Sequence, residues 1–429
     1  MRAVPSKPDV PRTADAVEAF VRRNLGWNMR AGIADLVFFA PGMAMVSNET
    51  VIPLLLTRLG ATSFLLGLIT ALTNAGVMLP QLIGAGVSQT RRYKRPISML
   101  FGMGERLPYL LIGLALWLWG SSHAALALAA YVLLRTLSSV SVGIIIPAWY
   151  TLIAKTIPTR RRGLFLGLGR GLGALLGVGA ALLSGHLLDT QPWPLSFALC
   201  FGLAFAFMSL SWLGLAVTRE PPDLTVAPRT PLRRYLAELP GVLRRNPNFS
   251  RYILARSLTV LGSMALGFII VYGTQRLALR GTQIGQLTAT ISTAQAAMYL
   301  LWGLVADRFG HKRVLCAGAA CMAAATLLAR LTPSLGGLFV AFALTGAGVA
   351  AEMTSSSSIV LEFARPEEQP TYVGLCNTLT APFRALAPIL GGALAGTLGY
   401  PGMFTIATAM SLLGLGTLAL RVREPRTMN

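Results

Sequence analysis

Twelve apolar segments, approximately 31–56, 62–87, 96–119, 123–150, 163–187, 195–218, 252–275, 281–305, 312–330, 335–361, 371–396 and 400–420, take up most of the 429-residue chain. Each is about as long as the roughly 20 apolar residues that one helix needs to cross a bilayer. Hydrophobic residues make up 54% of the chain and charged residues only 12%, whereas a soluble protein carries about 25% charge. The pattern predicts an all-α integral membrane protein with 12 transmembrane helices, and it excludes a soluble enzyme or a disordered chain. The first 30 residues are polar and basic and lack the apolar core and small-residue cleavage site of a secretory signal, so no cleaved signal is expected.

The formal net charge of +21 would suggest a nucleic-acid partner in a soluble protein. Here the positive residues sit between the apolar segments. With both termini placed in the cytoplasm, 28 Lys and Arg fall on the inner side, and only Arg58, Arg276, Arg280 and Arg330 fall outside. That bias is the positive-inside signal of a multi-pass protein, here of the cytoplasmic (inner) membrane, whose basic loops meet lipid headgroups. No nucleic acid is implied. The four cysteines, Cys200, Cys316, Cys321 and Cys376, form no CxxC pair and read as packing residues, and no metal site or cofactor is indicated.

The chain also repeats itself. Arg58-Leu59, Gly67 and Thr70-Ala71 recur as Arg276-Leu277, Gly285 and Thr288-Ala289, a shift of 218; Gly84 matches Gly303, Arg135 matches Glu352, and Arg170 matches Arg384. One half-length duplication predicts two pseudo-symmetric six-helix bundles, 31–218 and 251–421. They are flanked by a cytoplasmic segment 1–30, a basic linker 219–250 and a tail 422–429. Repeats of this kind place a solute site at their interface near the midplane.

The segment GLVADRFGHKR, Gly303 to Arg313, lies between the eighth and ninth spans and resembles the signature loop of the major facilitator superfamily of transporters. The resemblance implies that fold and a gating role for Gly303, Asp307, Arg308, Gly310, Lys312 and Arg313. Gly303 would permit close helix contact, Asp307 would cap a helix start, and the basic residues would hold the loop at the inner surface. The matching first-half segment, GAGVSQTRRYKR, has Ser88 where the family carries an acid. Arg135 resembles the arginine of the family's fourth-span motif, and the glycines of the fifth span resemble the antiporter helix.

Ionisable residues inside spans each cost about 2.5–3.5 kcal/mol on insertion scales, so each asks for a partner or a task. Asp35 and Glu49 in the first span, Glu105 in the third, Arg135 in the fourth and Glu352 in the tenth are the proton-coupling candidates. Glu105 and Arg106 point about 100° apart on a helix and are not expected to pair with each other. Arg135 and Glu352 are repeat equivalents of opposite charge, expected to pair near the pseudo-two-fold axis in one conformation and separate in another. Arg170, Arg384, Arg106, Asn377 and Ser355 are the candidates for the substrate cavity. Trp117, Trp119, Trp149, Trp193 and Trp212 read as interface anchors.

The chain contains no GxxxxGK[ST] phosphate loop, and His123, His186 and His311 show no metal-ligand spacing. A secondary active transporter of a small organic solute is therefore expected, working as a monomer with protons as coupling ion. Efflux by drug or metabolite exchange against protons comes first, and proton-coupled uptake of an organic anion second. A non-transporting membrane sensor is the reading from another class.

Overall fold

The computed structural model describes residues 13–224, 241, 243–331, 334–364 and 369–425. Arg365, counted above with the inner charges, and residues 225–240 and 242 of the linker lie outside the described residues, as do 1–12 and 426–429. Regular structure among the described residues is helical throughout. The first half comprises α1 (Ala14–Met45), α2 (Val51–Arg58), α3 (Ser63–Met78), α4 (Pro80–Gln89), α5 (Arg95–Trp119), α6 (Ala124–Thr156), α7 (Thr159–Thr190) and α8 (Leu195–Ala216). The second comprises α9 (Pro247–Gly262), α10 (Leu266–Leu277), α11 (Gly281–Phe309), α12 (His311–Leu331), α13 (Leu335–Glu362), α14 (Gln369–Thr397) and α15 (Gly399–Arg421). The pairs α1/α2, α3/α4 and α9/α10 each form one crossing, which gives six per half.

Eleven of the helices, or continuous helix pairs, are long and apolar enough to cross a membrane. The first crossing is the exception, because it carries Arg30 and Asp35 and its helix breaks at 46–50 before resuming as α2. It nevertheless packs against α7 and α8 in the body of the first half. Exposed leucines such as Leu133, Leu300 and Leu420 lie on the outside of both halves, a distribution that suits lipid rather than water.

Helix α1 begins well before the apolar segment, at Ala14, where Thr13 accepts a hydrogen bond from the Ala16 amide at 3.3 Å. Its polar turns are tied down by the chain that follows α8. Asn28 exchanges two hydrogen bonds of 2.9 Å with the Arg219 backbone, and the Trp27 indole donates to the Val217 carbonyl at 2.8 Å. The second half repeats the clamp: Asn248 donates to the Arg423 carbonyl at 3.0 Å and accepts from its amide at 2.8 Å. The residues that follow, Glu220 and Glu424, then each cap a helix. Glu220 accepts from the Lys94 and Arg95 amides at 2.7 and 2.8 Å at the start of α5, and Glu424 accepts from the Lys312 amide at 3.3 Å at the start of α12.

This arrangement bears on the missing acid at Ser88. Lys94 pairs with Asp223 at 2.8 Å, Lys155 pairs with Glu220 at 2.7 Å, and the Lys94 ammonium donates to the Ser88 carbonyl at 2.6 Å. Negative charge at this loop is thus supplied from the segment after α8. Because the Glu220 side chain is only 2% exposed and accepts three charge-assisted or capping bonds, Glu220→Gln is expected to lower the thermal stability of the detergent-purified protein. A loss of about 1.5–3 kcal/mol follows from one charged hydrogen bond becoming neutral. An unchanged melting curve would mean that Asp223 carries the contact alone.

The two halves meet mainly along α7 with α11 and α3 with α14. Their tightest approaches lie at the end opposite the basic loops. There the Gly185 backbone abuts Gly281 and Gly285, Gly392 abuts Ser63 and Phe64, and Thr50 and Thr288 share a 2.6 Å hydrogen bond. Asp189 of α7 caps α11 of the other half, accepting from the Gly281 amide and from the Thr282 amide at 2.7 Å. The largest buried apolar cluster crosses the same boundary, from Met45 and Leu55 to Phe268 and Phe404. A separate cluster around Phe249, Tyr252, Phe363 and Tyr372 holds the basic end of the second half together.

Candidate functional site

Six of the intramembrane charges gather into two networks of three, one in each half. In the first, Arg106 of α5 stands between Asp35 of α1 and Glu105 of its own helix, at 3.9 and 3.0 Å. The guanidinium also donates to the carbonyls of Met208 and Gly102 at 2.7 and 2.9 Å and to the Ser211 hydroxyl at 3.0 Å. Asp35 accepts from the Ser211 hydroxyl at 2.6 Å and the Trp149 indole at 2.8 Å. All three charged side chains are buried inside the first bundle.

This corrects two expectations. Glu105 and Arg106 do pair: the Cα–Cβ directions diverge, but the long arginine side chain folds back along the helix. Trp149 is a partner of Asp35 rather than an interface anchor, and Trp212 donates to the Met99 carbonyl at 3.0 Å. The network also places Arg106 within the first half, away from the boundary between halves. A recess of about 300 Å³, lined by Asn28, Gly32, Asp35, Trp149 and Thr156 among others, adjoins it.

Arg135 of α6 donates to the Tyr109 hydroxyl at 2.5 Å and to the Asn48 side-chain carbonyl at 3.1 Å. It does not meet Glu352 in this conformation. Glu49 is not part of a continuous helix; it lies in the break at 46–50 and accepts from the Ser47 hydroxyl at 3.0 Å.

The second network is in the other half. Glu352 of α13 pairs with Arg256 of α9, and with Arg384 of α14 at 3.2 Å. Beside it lies a recess of about 300 Å³ lined by Arg256, Ser356, Ser357, Asn377, Thr380 and Arg384 together with Val360, Val373 and Cys376. Asn377 and Arg384 both line this recess. Ser355 does not: it is buried on another face of α13, 3.1 Å from a ring nitrogen of His311. Arg384 sits at the boundary between halves, since Asn74 of α3 donates to its backbone carbonyl at 3.3 Å. Its repeat mate Arg170 occupies the other boundary, with its guanidinium 5.8 Å from the Tyr299 ring centre on α11.

In the signature loop, Gly310 adopts φ 90°, a conformation that favours glycine. Arg308 and Arg313 both flank the Phe309 ring at 5.2 Å, and Lys312 donates to the Ala419 carbonyl at 2.9 Å. Two expectations change here. Gly303 faces open space, whereas its repeat mate Gly84 packs against Ile144. Asp307 lies in the last turn of α11 rather than at a helix start.

Sequence reasoning gave no role to Arg256, Tyr109, Asn48 or Glu220. Arg256 carried a usable signal, because an arginine inside an apolar segment needs a counter-charge. Glu220 carried one too, in the recurrence of Arg219-Glu220-Pro221 as Arg423-Glu424-Pro425.

Known proteins agree with this architecture. Among curated relatives, the chain is 30% identical over 165 residues to the inner membrane transport protein YajR of Escherichia coli K12, a stretch covering 37% of this chain and 35% of that protein. It is 29% identical over 136 residues to the efflux pump dotC of Dothistroma septosporum, covering 31% of this chain and 23% of the pump. The matched stretches therefore span about a third and a quarter of those proteins' lengths. A crystal structure of the nucleoside transporter NupG (D323A mutant) superimposes with a TM-score of 0.70, covering 93% of this chain and 100% of that one at 11% identity, a likeness of fold. A sequence profile described as Major Facilitator Superfamily matches residues 36–275 and 252–429, so that two overlapping matches take in almost the whole chain. With its two repeated halves and its twelve crossings, the protein belongs to the major facilitator superfamily.

Proposed function

We propose that the protein is a proton-coupled secondary transporter of a small organic solute, working as a single chain in the cytoplasmic membrane. Residues 31–218 and 251–421 are the two moving halves, joined by the basic linker 219–250. The basic end, with both termini, faces the cytoplasm, because Lys and Arg are retained on that side. The observation that carries the reading is the asymmetry of the inter-half contacts. Glycine-lined closure at the end opposite the basic loops, beside a charged recess whose helix α14 runs along the boundary, suits the inward-open state of an alternating-access carrier. Asp35, Glu105, Glu352 and Arg135 are the residues proposed to handle the proton, Arg384 and Asn377 those proposed to meet the solute. The loop from Gly303 to Arg313, anchored through Lys312 and Glu424, is proposed to gate the basic end.

Direction has two readings. Similarity to an efflux pump favours export in exchange for protons. Two arginines against one acid in the recess favour uptake of an anion together with a proton. Proteoliposomes holding the purified protein and a pH-sensitive dye in the lumen separate them. Loss of lumenal protons as a lipophilic cation is taken up means exchange, and acidification accompanying an organic anion means co-transport. Silence with every solute, from folded protein, would turn the reading toward a sensor.

A further inference from the structure

The three charged groups of the second network differ in exposure. The Arg256 side chain is 7% exposed, Glu352 26% and Arg384 35%. Arg256 is the fixed inner partner of the carboxylate, and Arg384 is the outer one, reachable from the recess. Together they sum to one positive charge, and among the described residues no second acid lines the recess. The other titratable side chains whose fields reach the arginines are Tyr252 on α9 and Cys376 on α14, and both are neutral in their ordinary protonated forms. An uncompensated guanidinium at membrane depth is costly, and its planar fork fits a carboxylate or phosphate face on. Ser356, Ser357, Asn377 and Thr380 bring hydroxyl and amide groups to the same walls.

We infer that the recess is an anion site in which the carboxylate of an organic solute binds Arg384 in place of Glu352, while Glu352 takes up a proton from water. With Glu352 ionised, both arginines share one negative group. With Glu352 protonated, Arg384 is released to the solute and the local charge rises from +1 to +2 until the anion arrives. Proton and anion therefore favour each other's binding, and by linkage the preference is mutual. A cationic solute would do the reverse, competing with the proton for Glu352. The inference deepens the transporter reading by naming the solute class, but its binding step can be tested without transport.

The test is a thermal-shift and calorimetric titration of the full-length, detergent-purified protein. The probes are straight-chain and aromatic monocarboxylates from acetate to laurate and benzoate, the corresponding neutral amides, and the corresponding ammonium compounds, each at pH 5.5 and 7.5. Expected are binding by carboxylates alone and affinity that rises as pH falls, by up to about ten-fold per unit for one linked proton. Arg384→Gln, at a half-exposed site that leaves the Arg256–Glu352 pair intact, should weaken binding at least ten-fold. Glu352→Gln should bind at least as tightly as wild type at pH 5.5 and lose the pH dependence. Preference for ammonium probes, affinity that rises with pH, or no response to any carboxylate would overturn the inference. Flux of the same probes in proteoliposomes separates the two claims. Binding with the expected pH sign but without flux would remove the transporter reading and leave the site, whereas flux confined to neutral or cationic solutes would do the opposite.

Discussion

Arg106→Ala is expected to cost the protein about 3–5 kcal/mol of stability, the range for removing one partner of a buried ion pair. The guanidinium is the counter-charge for both Asp35 and Glu105, and it also satisfies the Met208 and Gly102 carbonyls and the Ser211 hydroxyl. Alanine leaves two carboxylates in the core of the first bundle facing each other's charge. Asp35 keeps Trp149 and Ser211, but neutral donors do not replace a cation. The measurement is denaturant or thermal unfolding of the detergent-purified variant, followed by far-UV circular dichroism. A triple variant, Arg106→Ala with Asp35→Asn and Glu105→Gln, should recover most of the loss because no unpaired charge remains. An Arg106→Ala protein as stable as wild type would mean that water reaches these carboxylates through the adjoining recess and solvates them.

The span count and duplication were legible because both rest on period and composition, which survive in one dimension. The partners of the buried charges were not. Asp35 meets Trp149 and Ser211, which lie 114 and 176 residues away, and no local spacing rule reaches that far. Glu105 and Arg106 misled for the opposite reason: an argument from helix directions describes where Cβ points, not how far the rest of a long arginine side chain can bend. The 46–50 break was hidden by its own apolar surroundings, and the reading of Glu49 as part of a continuous first span failed with it. The start of α1 was missed because residues 1–30 read as a polar cytoplasmic segment, and only the chain after α8 supplies the partners of Trp27 and Asn28. Arg384 and Asn377 were found at the recess from repeat position and polarity. Ser355 was not, since its neighbours Ser356 and Ser357 face the recess instead.

Gly185→Val tests the closure on which the proposed alternating access depends. A Cβ at Gly185 would stand 2.6 Å from the Gly281 carbonyl and 2.8 Å from the Gly285 Cα, while one at Gly285 would stand 2.6 Å from the Ala181 carbonyl. These are backbone atoms, so no side chain can swing aside, and α7 and α11 must separate. Separation also pulls the Asp189 carboxylate from the Gly281 and Thr282 amides. A penalty of only about 2.7 kcal/mol on the closed state lowers its population about a hundred-fold, and a carrier that cannot close one end cannot complete a cycle. The matched control is Gly179→Val on the same helix, where an added Cβ meets nothing within 4 Å. Spin labels at Ser122 and Arg330, exposed at that end on opposite halves, should move apart in the Gly185 variant and stay in place in the control. Flux in proteoliposomes should fall at least a hundred-fold in the first and persist in the second. Equal flux in both variants would show that the glycine contact is incidental to closure, and that the buried apolar cluster from Leu55 to Phe404 holds that end shut by itself.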